Sequence, residues 1–140
     1  MARVKLKLPD RFPFSTDIPL RINDINYGGH LGNDSILSLI HEARVQFLNS
    51  HGFSEKNVDG PGIIMVDAVI VYKSESFYGD IVTVDVAVAD ISKSGCDFYY
   101  RLANKETHKE IARAKTGIVF FDYEKRKVSG VPGKFLAILD

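Results

Sequence analysis

The sequence predicts an α+β fold, one long helix packed against an antiparallel sheet. Three observations predict it. Residues 34–48 carry an uninterrupted helical pattern, the chain from Ile63 onward is a succession of strand-like runs and turn residues, and neither an internal repeat nor a second domain is visible in 140 residues.

Taken in order, residues 1–13 alternate basic and apolar side chains and end on Pro13, which suits an arm or a short edge strand. Residues 14–22 read as a first strand, in which Pro19 allows only an edge or a bulge. Asn23-Asp24 and Gly28-Gly29 are turn chemistry. In the helix, Ile36, Leu39, Ile40, Ala43 and Phe47 form one stripe of a 3.6-residue period, and Leu37 and Leu48 widen it, so burial over more than half the girth is expected. Asn33 or Asp34 is the expected N-cap, and His51-Gly52 the stop. Residues 54–62 form a polar loop closed by Gly60-Pro61-Gly62.

Residues 63–72 are nearly all apolar, which predicts a strand covered on both faces. A turn at 77–80 leads into residues 81–91, where Val82, Val84, Val86 and Val88 share one face. A hairpin turn at 92–95 precedes residues 96–102, which place Phe98, Tyr100 and Leu102 together. After a turn at 104–109 the last long strand runs over residues 110–123. The expected domain is 1–140, with an arm over 1–13 and a basic, then Gly/Pro-rich tail over 124–140 that ends in an apolar segment at 135–139. Five strands around one helix leave a sheet face uncovered, and a dimer is expected to bury it.

Composition narrows the function. Eighteen Lys and Arg balance eighteen Asp and Glu, and the pI is near 6.9, so bulk charge offers nothing to nucleic acid. The single Cys96 excludes an internal disulfide framework, suits a reducing compartment, and reads as buried filler. No apolar run approaches the roughly 18 residues of a membrane span. Residues 1–13 lack the apolar core of a secretory leader, and the expected compartment is the cytoplasm.

The segment 21–48 is where chemistry concentrates. Its first half gathers Asp24, Asn26, His30 and Asn33 within ten residues, directly ahead of a helix whose unpaired N–H groups and dipole favour oxyanions and carbonyl oxygens. The segment resembles that of hotdog-fold acyl-CoA thioesterases of the 4-hydroxybenzoyl-CoA thioesterase-like group, written R-x-x-D-x-D-x-x-G-H-V-N-N. The matching residues are Arg21, Asp24, Asn26, Gly29, His30, Leu31, Gly32 and Asn33. Glu42-Ala43-Arg44 and Phe47-Leu48 match the group's helix, and Tyr72 with residues 77–81 resembles its turn into the third strand. Two positions depart: the second Asp of D-x-D is Asn26, and the first Asn of the closing pair is Gly32.

The resemblance implies a hotdog fold, one long central helix wrapped by a five-stranded antiparallel sheet. It also implies a homodimer or homotetramer and a thioester of CoA or acyl-carrier protein as substrate, with neither cofactor nor metal. Hydrolysis needs a proton acceptor, an oxyanion site and an acyl slot. Backbone N–H groups of Gly28, Gly29, His30 and Leu31 are candidates for the oxyanion. Glu42 ranks first as base, on the expectation that its helix is buried on most sides; His30 ranks second and Asp24 third. Asn26 orients water or substrate, because an amide takes no proton. In a dimer, Glu42 of one subunit could face Asn26 and His30 of the other. Lys93 and Ser94 stand where the group often contacts CoA phosphates.

Plainer roles compete for each residue: His30 bonding a backbone carbonyl, Glu42 paired with Arg44, Arg21 or a partner subunit, Asp24 and Asn33 as turn former and cap, Lys93 as a solvated turn lysine. His41, His51 and His108 read as surface residues. Two other functions on the same fold stay open. One is a binder of acyl thioesters without turnover, favoured by the loss of the second Asp. The other is an enoyl-thioester hydratase of D-x-N-P-x-H type, disfavoured because His30 follows Asp24 by six residues rather than five and Tyr27 replaces Pro.

Overall fold

The computed structural model describes residues 3–139. Strand β1 (Phe14–Pro19) leads through a short 3-10 turn (Ile22–Asp24) to helix α1 (Ser35–Ser50). Strands β2 (Gly62–Tyr72), β3 (Ile81–Ala89), β4 (Gly95–Asn104) and β5 (Glu110–Asp122) follow, then a two-residue strand β6 (Lys127–Val128) and a one-turn helix α2 (Gly133–Leu136). All pairings are antiparallel, in the order β1-β3-β4-β5-β2, with β6 added at the end of β5. The expected five strands are present, and β6 is an addition that two residues without a period could not announce.

The alternation of β3 and β4 sets the core. Val82, Val84 and Val86 oppose Asn104, Leu102 and Tyr100 in register, and with Phe98 they are fully buried against Ile36, Leu39, Ile40, Ala43, Phe47 and Leu48 of α1. Phe47 meets Phe98 edge-on at 5.7 Å. Cys96 is buried in the same layer, and burial pushes its thiol up to about 12, so it acts as filler and not as a nucleophile.

Three expectations change. First, the outer sheet face is not an apolar surface awaiting cover. It carries charge pairs across the strands, with Arg101 opposite Asp85 and Lys115 bonded to Asp67 at 2.8 Å, and within β5 Arg113 is bonded to Glu110 at 2.8 Å and to the Leu6 carbonyl of the arm at 2.9 Å. Within one chain such a face needs no apolar cover. Second, β2 is not covered on both faces. It is an edge strand bulged between Met65 and Asp67, and Ile64, Met65 and Val66 are exposed. An apolar run that reads as doubly buried is here an open edge. Third, α1 buries one stripe only. Leu37 lies 41% exposed, and His41 and Glu42 face outward beside it.

The tail folds back on the core. Phe135 is fully buried, 5.2 Å from the ring of Phe120 and 6.4 Å from that of Phe98.

Candidate functional site

Segment 21–34 forms a closed knot because its own side chains replace missing strand partners. Asp24 is buried, accepts the Arg21 N–H at 2.8 Å and takes the Gly32 N–H on its carbonyl at 2.9 Å. It is a turn former. Asn26 Oδ1 accepts the Gly28 N–H at 2.9 Å and the His30 N–H at 3.4 Å, while Asn26 and His30 also bond through their backbones at 2.9 Å. Gly29, at φ +86°, makes the turn that closes this ring and gives its N–H to the Asn26 carbonyl. Leu31 gives its N–H to the Ser76 carbonyl at 2.7 Å, tying the knot to the segment after β2. The N–H groups of Gly28, Gly29, His30 and Leu31 therefore all have partners, and the oxyanion role expected for them does not fit the geometry.

The helix start is different. Asp34 occupies the N-cap position with no side-chain hydrogen bond to the first turn, and the Asn33 Oδ1 accepts only the neighbouring Asp34 N–H, at 3.0 Å. The Ser35 N–H is taken by the Gly32 carbonyl at 3.1 Å, and without a side-chain cap the next donors of the first turn and the positive end of the dipole stay open. This helix start opens into a cleft of about 390 Å³ lined by Asn26, His30, Asn33 and Ile36 on one side. Tyr72, Lys73 and Glu75 from the exit of β2 form the other wall. Tyr72 donates its hydroxyl to the Asn33 carbonyl at 3.2 Å across the mouth.

His30 is half-buried in this cleft. Its Nδ1 lies 3.2 Å from the Leu31 carbonyl, which fixes the hydrogen on Nδ1 and leaves Nε2 as an acceptor. The Nε2 stands 4.0 Å from Glu75 Oε1. Both readings of His30 hold at once, since one nitrogen ties the loop and the other faces the cleft.

The structure unites Asn26, His30, Leu31 and Asn33 at the cleft, with Gly28 and Gly29 closing the same loop, and sets Asp24, Glu42, Lys93 and Ser94 apart from it. Glu42 is exposed on the outer side of α1, bonded to Gln46 at 2.7 Å rather than to Arg44 or Arg21. With Asp24 it lines a separate cleft of about 280 Å³. The burial that ranked Glu42 first as base is absent within one chain. Lys93 and Ser94 lie at the far end of the sheet, since β3 and β4 run from their hairpin to the end where the knot packs, a nine-residue span of about 30 Å. There their carbonyls accept Val131 and Phe120 N–H groups.

A second cleft of about 390 Å³ lies between α1 and β2, with Leu37, His41, Arg44, Glu55 and Met65 on its walls. Its polar groups are engaged with one another. Arg44, 5% exposed, gives Nε to Glu55 at 2.7 Å and Nη1 to the Tyr100 hydroxyl at 3.0 Å, which meets Thr116 at 2.8 Å. His41 completes the set at 2.7 Å from Glu55. Tyr100 is thus more than sheet packing, and His41 more than a free surface residue.

Sequence reasoning missed Lys73, Ser74 and Glu75 in the first cleft. No local pattern marks them, because long-range bonds, Leu31 to Ser76 and Tyr72 to Asn33, bring them to the loop. Among the described residues no cluster of three or more His, Cys, Asp or Glu could hold a metal, and no helix is long and apolar enough to cross a membrane.

Residues 20–139 match the family model of the thioesterase-like superfamily. No curated protein matches the chain. Among solved structures it is similar to a 1,4-dihydroxy-2-naphthoyl-CoA thioesterase from Synechocystis, at TM-score 0.81 and 23% identity over 89% of this chain and 93% of that one. It is also similar to a DHNA-CoA thioesterase from Staphylococcus aureus, at TM-score 0.74 and 19% identity over 83% and 78%. A further S. aureus protein, solved in complex with CoA, gives TM-score 0.80 and 16% identity over 95% and 84%. At these identities the shared property is the fold.

Proposed function

The chain belongs to the thioesterase-like superfamily, and we propose that it hydrolyses acyl-CoA thioesters to a free acid and CoA. The observation that carries the reading is the uncapped start of α1 opening into the cleft that holds Asn26 and His30. A thioester carbonyl laid against that start places its developing oxyanion on free N–H groups and the helix dipole. His30 Nε2 holds the attacking water, and Asn26, its Oδ1 engaged by the loop, offers its amide nitrogen to water or carbonyl. Leu31, Ile36 and Ile111 give the cleft an apolar wall for the acyl group, and Lys73 stands beside it as a cation for an anionic carrier. CoA as carrier is favoured by the similar structures, two CoA thioesterases and one CoA complex. A reducing compartment, the cytoplasm, suits the unpaired, buried Cys96.

The working unit is a homodimer, or a dimer of such dimers, built on the β2 edge. Exposed Ile64, Met65 and Val66 sit there beside Leu37 of α1 and the second cleft, so a partner strand would cover all three. Light scattering should give at least twice the 15.6 kDa chain mass; a 15.6 kDa species removes this part of the proposal.

The catalytic reading is tested by thiol release from a panel of aliphatic and aromatic acyl-CoA esters. The wild type should turn over at least one class, and His30→Ala should lower kcat/KM by about 10²–10⁴. A wild type inert on every ester, yet retaining CoA-ester binding, replaces hydrolysis with binding alone.

A further inference from the structure

A neutral Asn26 leaves hydrolysis without a carboxylate at the position where the resemblance expects one, and the cleft supplies another from the opposite wall. Among the described residues lining it, Glu75 is the one carboxylate. Its backbone is held on both sides. Ser74 donates its hydroxyl to the Glu110 carbonyl at 2.7 Å. Ser76, 1% exposed, bonds Asp80 at 2.9 Å and accepts the Leu31 N–H at 2.7 Å. Glu75 is therefore fixed at the backbone directly across from His30 while its side chain stays 65% exposed, open to water and substrate.

The 4.0 Å between Glu75 Oε1 and His30 Nε2 is too long for a direct hydrogen bond, and a gap of this kind between two acceptors is one a shared water fills. With the His30 hydrogen on Nδ1, such a water gives one hydrogen to Nε2 and the other to Glu75, and its lone pair faces the cleft.

We propose that Glu75 is the proton acceptor of the reaction, supplying from the segment after β2 the carboxylate that Asn26 lacks. This rests on the thioesterase reading. The water oxygen forms a bond to the thioester carbon as one of its protons passes to Glu75, and the carbonyl oxygen becomes the oxyanion at the start of α1. The oxyanion then collapses, the carbon–sulfur bond breaks with its electron pair on sulfur, and the proton on Glu75 passes to the thiolate. Water and thioester leave as acid and thiol, with Glu75 restored.

The test uses Glu75→Gln, Asn26→Asp and the double variant, assayed on the best ester of the panel. Glu75→Gln should lower kcat by about 10²–10⁴ with KM changed less than about threefold. Asn26→Asp in that background should recover at least about tenfold. One Asp oxygen can keep the Gly28 and His30 N–H bonds while the other replaces an amide nitrogen that bonds no group among the described residues. A structural role for Glu75 gives no such recovery. An active wild type with Glu75→Gln at the same kcat, or a loss that Asn26→Asp leaves unchanged, overturns the proposal. A wild type inert on the whole panel instead removes the thioesterase reading, and this inference falls with it.

Discussion

Replacing Arg44 with Met is expected to destabilise the fold by about 3–5 kcal/mol in urea unfolding, because removing one member of a buried pair leaves the other uncompensated. Arg44 lies 5% exposed on the buried side of α1, and its guanidinium serves Glu55 and the Tyr100 hydroxyl together. Met preserves much of the volume, so the loss reports the network and not a cavity. Glu55→Gln added to Arg44→Met should recover part of it, since the stranded charge is then gone. Burial works against the Glu55 carboxylate, but hydrogen bonds from Arg44 and His41 outweigh it and hold Glu55 below the ordinary glutamate range. A folded-state value below the unfolded one means the pair's contribution is fully present above that range. It is lost as pH falls through the folded value. Wild-type stability should therefore drop on acidification from roughly pH 4.3 downward, and Arg44→Met should lose less over the same interval. Equal acid slopes would show that the pair carries no linkage.

Phe135→Ala is expected to cost about 3–5 kcal/mol, the range for emptying a buried aromatic site. Its ring is fully buried among Phe53, Phe98 and Phe120, with centroids 5.2–6.4 Å away. Phe98 also packs on Phe47 of α1, so the tail closes the aromatic cluster that joins helix and sheet. Leu136→Ala next to it, at 42% exposure, should stay within about 1 kcal/mol. Similar losses for both would show that the one-turn helix matters as a unit and not through Phe135.

These two residues mark where the sequence was legible and where it was not. A long helix and β3 are written in local period. Five positions of α1 recur at helical spacing and four valines of β3 alternate; all five and Val82, Val84 and Val86 are buried, and Val88, near the strand end, is partly buried. A four-residue helix has no room for a period, so Phe135 looks like tail. Side is harder than type. Leu37 and Glu42 belong to the helix, but which flank the sheet covers is decided by β3 and β4, far along the chain. β2 failed for a related reason, because an apolar run is equally suited to an interior strand and to an edge that meets another chain. In the site, Asn26, His30 and Asn33 were found because they are neighbours in sequence. Glu75 was not, because its proximity comes from bonds between distant positions, Leu31 to Ser76 and Tyr72 to Asn33. Arg44 was seen in the helix motif, but its partner Glu55 stands in a loop whose path no local pattern foretells.

The ring of hydrogen bonds within segment 21–34 has a thermodynamic consequence for any ligand. A loop whose donors were free would have to settle around its guest, at roughly 0.5–1.5 kcal/mol for each rotamer-rich side chain immobilised. Here Asn26 already fixes Gly28 and His30, Asp24 fixes Arg21 and Gly32, and Ser76 fixes Leu31. The ordering entropy of this wall is lost when the chain folds. A substrate therefore meets a preorganised surface, and the free energy of its contacts remains available for discriminating one acyl group from another.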